Sequence, residues 1–287
     1  PNLTPSFEDF RACITPLYGA EDVTAMEAAY HFASEAHGAR KRYSGDPYIV
    51  HPTAAAIYLA NMHMATAVII ATLLHDVLED TSVTSEQLQN TFGEDVAMMV
   101  EGVTKLGHIK YRGVDRYVEN LRKMFMAFAA DVRVVFIKFA DRIHNLRTLD
   151  AVPAEKRKRI ALESLELYAP IANRLSMGSI RGDLEDAAFK HAYPEEYAWV
   201  TQLVQETLVG KSEALKHAEK NIIEELKKVN ISILHIGGRT KHLYSLYCKL
   251  VKYDRDISRA YDIVALRIQV PTIADCYATL GVIHGLW

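Results

Sequence analysis

Small and apolar residues (Ala25, Ala28, Ala29, Phe32, Ala33) recur on one broad helical stripe across Glu21–Ala39. The next strong pattern is the run Ala65–Leu74, apolar on every side, as in a helix buried all round. Between them, Arg42-Tyr43-Ser44-Gly45-Asp46-Pro47-Tyr48 carries loop punctuation, and helix resumes near His51-Pro52 because proline suits a first helical turn. Thr84 and Gln87 have capping-box spacing and open a short helix that Gly93 closes. Helical periodicity continues through Glu94–Leu106 and Tyr117–Ala130, and Asp131 is placed to cap Val132–Leu149. Pro153 breaks the chain before a more charged helix, Ala154–Leu175, and another over Arg181–His191. After Gly210 the pattern changes: an amphipathic helix (Lys211–Val229), a strand (Ile231–Ile236), a turn (Gly237–Lys241), a second strand (Tyr261–Val270) and a helix (Thr272–Trp287). The periodicities predict a mainly α chain with an α+β tail.

Length adds a domain count: 287 residues suggest about two domains at roughly 150 residues each. Apolar residues at 49% and charged residues at 24% fit a globular protein with real cores. A formal charge of −3 argues against bulk binding to nucleic acid or anionic membrane, and leaves room for a local basic pocket. Cys13, Cys248 and Cys276 are few and scattered, which excludes a disulfide framework and a cysteine zinc site and favours a reducing compartment. No signal-peptide pattern is present, and the apolar run before His75 is shorter than the ~20 residues a bilayer requires. A cytoplasmic protein is expected. The basic run Lys156-Arg157-Lys158-Arg159 sits in helical surroundings and is taken as a solvated helix face.

The densest candidate chemistry is His75-Asp76-Val77-Leu78-Glu79-Asp80, at the polar end of the apolar run. On one helix, His75 and Glu79 are i,i+4 neighbours, as are Asp76 and Asp80. Such crowding beside a core is tolerable when a cation compensates it. His51, at a helix start, and Asp141, deep in an apolar helix, complete a set of two imidazoles and two carboxylates with His75 and Asp76. That set suits Mn, Fe, Co or Zn without choosing among them. Glu79 and Asp80 then remain for proton transfer, with phosphorus a sensible electrophile. Arg42 and Ser44 would bring a cation and a hydroxyl, while Asn145 and Thr148 follow Asp141 at i+4 and i+7. Further on, Gly238-Arg239-Thr240-Lys241 precedes a cationic helical segment, as a polyphosphate site requires, and Asp262 opens a strand where an acid would hold Mg²⁺.

Three of these stretches together, Arg42–Pro52, His75–Thr81 and Lys138–Leu149, resemble the hydrolase half of long RelA/SpoT homologues, the enzymes of the bacterial alarmone (p)ppGpp. The resemblance implies an all-helical HD-type hydrolase over 1–152, connecting helices over 153–199, and over 200–287 the start of an α+β nucleotidyltransferase-like synthetase. It implies Mn²⁺-dependent removal of the 3′-pyrophosphate of ppGpp or pppGpp, giving GDP or GTP. By position, His51, His75, Asp76 and Asp141 match the metal ligands, and Glu79 and Asp80 match the water-activating pair. Arg42, Ser44, Asn145 and Thr148 match the groups that hold the nucleotide. Tyr43 stands where the family usually has lysine, and Thr240 where it has proline. In the synthetase half, Arg239, Lys241 and Lys249 would face ATP phosphates and Asp262 would bind Mg²⁺. The family's second acidic ligand and its guanine-stacking tyrosine lie further on, so pyrophosphate transfer from ATP to GDP or GTP is expected only of a longer chain. Any ribosome contact is likewise expected only through further C-terminal domains.

Overall fold

Ser6 starts the first helix by a reciprocal cap: its hydroxyl accepts from the Asp9 N–H, and the Asp9 carboxylate accepts from the Ser6 N–H. The computed structural model describes residues 2–107, 122, 125, 126, 128–209, 212–257 and 264–286. Helices α1 (Phe7–Ile14), α2 (Ala20–His37), α3 (Val50–Ala60), α4 (Thr66–Leu74) and α5 (Val77–Asp80) come first. They are followed by α6 (Ser85–Phe92), α7 (Glu94–Gly107) and α8 (Arg133–Arg147). Thr84 and Gln87 form the expected capping box, with Gly93 just past the end of α6. Most of Tyr117–Ala130 lies outside the described residues.

The chain divides into two compact units, Pro1–Ala188 and Phe189–Trp287. In the first, α4 is the central post: every residue from Val68 to Leu74 is buried, and α2, α3 and α7 pack around it. Helix α8 lies against α3 with Val135, Ile137 and Phe139 buried, so the two helices bearing His51 and Asp141 are packed side by side. Each such side chain contributes about 1.5–3 kcal/mol on burial. Helix α7 meets α8 at Gly102, where a Cβ would stand 2.8 Å from Val134 Cγ2.

Two expectations fail in this unit for local reasons. The run through His75 is not one helix: α4 ends at Leu74, a turn spans His75–Asp76, and α5 is a separate short segment. The His75 side chain competes locally, its Nδ1–H donating to the Thr72 carbonyl at 2.7 Å. The charged helix after Pro153 is also broken, into α9 (Ala154–Glu163), a π turn (Ser164–Tyr168) and α10 (Ala169–Arg174). Pro170 supplies no N–H to the ladder, and the Ala169 N–H reaches back to the Ser164 carbonyl instead.

Helix α11 (Gly178–Ala192) contains the boundary, and the second unit continues with α12 (Pro194–Val209) and α13 (Ser212–Lys228). Strand β1 (His235–Thr240), α14 (Leu243–Lys252), strand β2 (Val264–Gln269) and α15 (Ile273–Leu286) complete it. One core joins Phe189, Val200, Leu246 and Leu250; another joins Ile222, Leu226 and Ile231 with Leu266 and Ile268 from β2. Here too a prediction is corrected. Gly237, Gly238, Arg239 and Thr240 form strand, not turn, pairing antiparallel with Arg267, Leu266, Ala265 and Val264. Glycine lowers strand preference, but the facing strand supplies the ladder, and pairing overrides local propensity. No helix among the described residues is long and apolar enough to cross a membrane.

Candidate active site

His51 enters from the first turn of α3, His75 and Asp76 from the turn after α4, and Asp141 from the middle of α8. Packing of α3 against α4 and α8 brings the four together. His51 Nε2 lies 3.3 Å from Asp141 Oδ1 and 3.6 Å from Asp76 Oδ2, and His75 Nε2 lies 3.2 Å from Asp76 Oδ1. Donor atoms of His51, His75 and Asp141 all fall within 4.8 Å of one another. All three residues are buried. The two imidazoles and the carboxylates form a donor set that fits a divalent metal ion. One detail argues for that fit directly: His75 Nε2 is buried, faces Asp76 without hydrogen-bond alignment, and has no hydrogen-bond partner. With Nδ1–H committed to Thr72, Nε2 is the nitrogen turned inward, and an ion displacing its proton would meet the lone pair that a ligating imidazole requires.

The electrostatics follow from burial and close opposite charge. Burial alone would raise Asp141, but Lys138, donating from Nζ to Oδ2 at 2.8 Å, and the two histidines hold its carboxyl well below the usual range. Asp76 is likewise opposed by burial and held low, chiefly by His75 and His51, and its Oδ2 accepts from the Tyr48 hydroxyl at 2.8 Å. Burial would lower His75, but Asp76 and Asp141 outweigh it and raise the ring to about 9. Burial takes His51 down, with Arg42 adding to it, and Asp141 and Asp76 do not offset them. Burial and the neighbouring His51 ring bring His144 down to about 3, and burial brings His37 down to about 4.

Beside this centre is a cavity of about 240 Å³, lined by Arg42, Tyr43, Ser44, Asn145, Thr148 and Lys156 among others. Its entrance loop is a small hairpin: Arg42 N–H donates to Asp46 O, Gly45 N–H donates to Arg42 O, and Lys41 bridges Pro47. Gly45, at φ +89°, lets the turn close. The loop aims Arg42 at α8, where its guanidinium donates to Asn145 Oδ1 at 2.6 Å. Asn145 in turn donates through Nδ2 to Asp141 Oδ1. A continuous polar chain thus joins cavity wall to candidate metal ligand.

Glu79 and Asp80 sit on α5, Glu79 exposed and Asp80 partly so. Arg40 clamps Asp80 twice, donating to its backbone carbonyl and pairing with its carboxylate, each at 2.8 Å. In the second unit, Arg239 is on β1, Lys241 just after it and Lys249 on α14, while Asp262 lies outside the described residues. Four residues near the centre escape a reading by motif position: Lys138 and Tyr48, each three positions before a ligand, His144, three positions after one, and His37. The i±3 spacing to His51 and Asp141 was the available signal for the first three.

Comparison with known proteins gives two family matches. The model described as an HD domain matches residues 29–178, and that described as the region found in RelA/SpoT proteins matches 238–287. The chain is 45% identical over 263 residues to the guanosine-3′,5′-bis(diphosphate) 3′-pyrophosphohydrolase of Aquifex aeolicus, covering 91% of this chain and 37% of that one. It is 43% identical over 262 residues to the GTP pyrophosphokinase of Streptomyces coelicolor, covering 91% and 31%. It is 39% identical over 282 residues to the bifunctional (p)ppGpp synthase/hydrolase SpoT of Escherichia coli, covering 98% and 40%. The chain therefore spans between 31% and 40% of the length of these three relatives.

Proposed function

Because the chain belongs to the RelA/SpoT family and carries its HD domain, we propose that the first unit hydrolyses the 3′-pyrophosphate of (p)ppGpp. The observation that carries this reading is the polar chain Arg42–Asn145–Asp141, which ties a base-sized cavity to the His51, His75, Asp76, Asp141 cluster. A divalent ion, which we assign as Mn²⁺ from the family, would be held by those four residues and would acidify water and neutralise phosphoryl charge.

The protein's own groups divide the remaining work. Arg42 lines the cavity and would stack on the guanine face, and Asn145 and Thr148 offer uncharged partners to the base and ribose. Lys138, Asn145 and Tyr48 fix the carboxylates, so their geometry need not reorganise during reaction. Water adds to the phosphorus next to the ribose, the bond from that phosphorus to the 3′ oxygen breaks, and the 3′ oxygen takes a proton. One carboxylate of the Glu79–Asp80 pair takes the proton from water, the pair returns a proton to the departing 3′ oxygen, and the Arg40 clamp holds Asp80 in place. In the second unit, ATP phosphate binding by Arg239, Lys241 and Lys249 and Mg²⁺ binding by Asp262 rest on the family resemblance.

Purified protein with Mn²⁺ is expected to release pyrophosphate from ppGpp, and chelation to stop it. Glu79→Gln is expected to cut turnover by about 10²–10⁴-fold while Mn²⁺ affinity stays near wild type. A folded wild-type protein that binds ppGpp with Mn²⁺ present and releases nothing would instead mark a nucleotide sensor. Release from other nucleotides but not from ppGpp would mark a different HD phosphohydrolase.

A further inference from the structure

His144 is one turn beyond Asp141 on α8 and is 5% exposed. No step proposed above uses it. Its Nδ1 lies 2.8 Å from Nδ1 of His51, and its Nε2 lies 3.2 Å from the Leu3 carbonyl oxygen. A neutral imidazole carries one proton, so of two facing nitrogens one must donate and the other accept. The Leu3 carbonyl can only accept. His144 satisfies it when its proton is on Nε2, which leaves Nδ1 as an acceptor. The proton between the rings must then belong to His51 Nδ1. That leaves His51 Nε2 as a bare lone pair, and Nε2 is the atom facing Asp141 and Asp76. The opposite assignment fails twice: it sets a lone pair of His144 against the Leu3 carbonyl, and it puts the His51 proton where an ion would be coordinated. With an ion at His51 Nε2, only the first arrangement satisfies all three contacts.

We propose that His144, anchored by the Leu3 carbonyl, is a positioning residue that locks His51 in the tautomer that ligates the metal. The segment before α1, distant in sequence from every candidate ligand, is thereby part of the site's support. The inference rests on the metal-centre reading of His51. It predicts that an acceptor for His51 Nδ1–H matters more than the imidazole as such.

The test compares His144→Phe, which keeps a ring of similar size and removes the acceptor, with His144→Asn, whose amide oxygen occupies nearly the same place as Nδ1. Mn²⁺ affinity of the purified full chain is measured by titration calorimetry, with circular dichroism and urea midpoints to verify folding, and Asp141→Asn as reference. Loss of the hydrogen-bond partner behind a ligating histidine typically weakens metal binding about 10–100-fold. That loss is expected in His144→Phe and is expected to be mostly restored in His144→Asn. Pyrophosphate release by His144→Phe should recover as Mn²⁺ is raised to saturation, as for a ligand-orienting role. Wild-type Mn²⁺ affinity in a folded His144→Phe, with Asp141→Asn impaired, overturns the proposal and leaves the metal centre standing. Equal loss in the Phe and Asn variants also overturns it. Unimpaired Mn²⁺ binding by Asp141→Asn brings down the metal centre and this proposal with it.

Discussion

At the scale of single residues, Tyr43 and Lys156 bring an aromatic face and an ammonium together at the cavity. Tyr43 is 74% exposed at the cavity rim, and Lys156 Nζ stands 5.1 Å from its ring centre. The ammonium arriving from α9 is held over an aromatic face beside the cavity that both residues line. Lys156→Ala is therefore expected to raise KM for ppGpp roughly 3–10-fold with kcat little changed, since an exposed cation assists binding more than chemistry. A fall in kcat at constant KM would contradict this. His37 gives a different kind of prediction. It is 5% exposed, both ring nitrogens lack hydrogen-bond partners, and it stacks on Tyr48 at 4.4 Å between ring centres. Burial lowers it from 6.5 to about 4, so below pH 6.5 the unfolded chain takes a proton that the folded one refuses. Its stabilising contribution is complete above pH 6.5 and is lost as pH falls toward 4. Urea midpoints at pH 7 and pH 5 should therefore differ more for wild type than for His37→Phe.

At the scale of elements, the helices most visible in the sequence are those with a full apolar face or a cap with a mechanism. The α4 run, the Thr84–Gln87 capping box and the Pro153 break all stand where local chemistry puts them. What local chemistry does not encode is competition. The His75 ring takes the Thr72 carbonyl and ends α4 early, Pro170 forces a π turn, and β2 draws the Gly-Gly segment into a ladder. The candidate ligands were legible because acids and imidazoles in apolar runs need a reason to be there. Their supports were not, because Tyr48, Lys138 and His144 acquire a role only when α3 and α8 lie side by side. That contact can be probed at its neighbour, where α7 meets α8. Gly102→Ala puts a methyl 2.8 Å from Val134 Cγ2 and is expected to cost about 1–3 kcal/mol in urea unfolding. Gly102→Ala combined with Val134→Ala should recover part of the loss, and an absence of recovery would refute close approach as the cause.

At the scale of the whole molecule, the two units are built on different architectures. The first is all helical around α4, whereas the second builds separate cores around Phe189 and around the β1–β2 pair. Arg42 grips Asn145, and Asn145 grips the Asp141 oxygen that also faces His51. Guest molecules at the two ends of that relay are expected to sense each other through it. If Mn²⁺ tightens ppGpp binding to a hydrolysis-dead Glu79→Gln protein by some factor, ppGpp must tighten Mn²⁺ binding by the same factor, and Asn145→Ala should shrink both together. Reciprocity of this kind would let alarmone concentration govern how much of the protein is loaded with its ion.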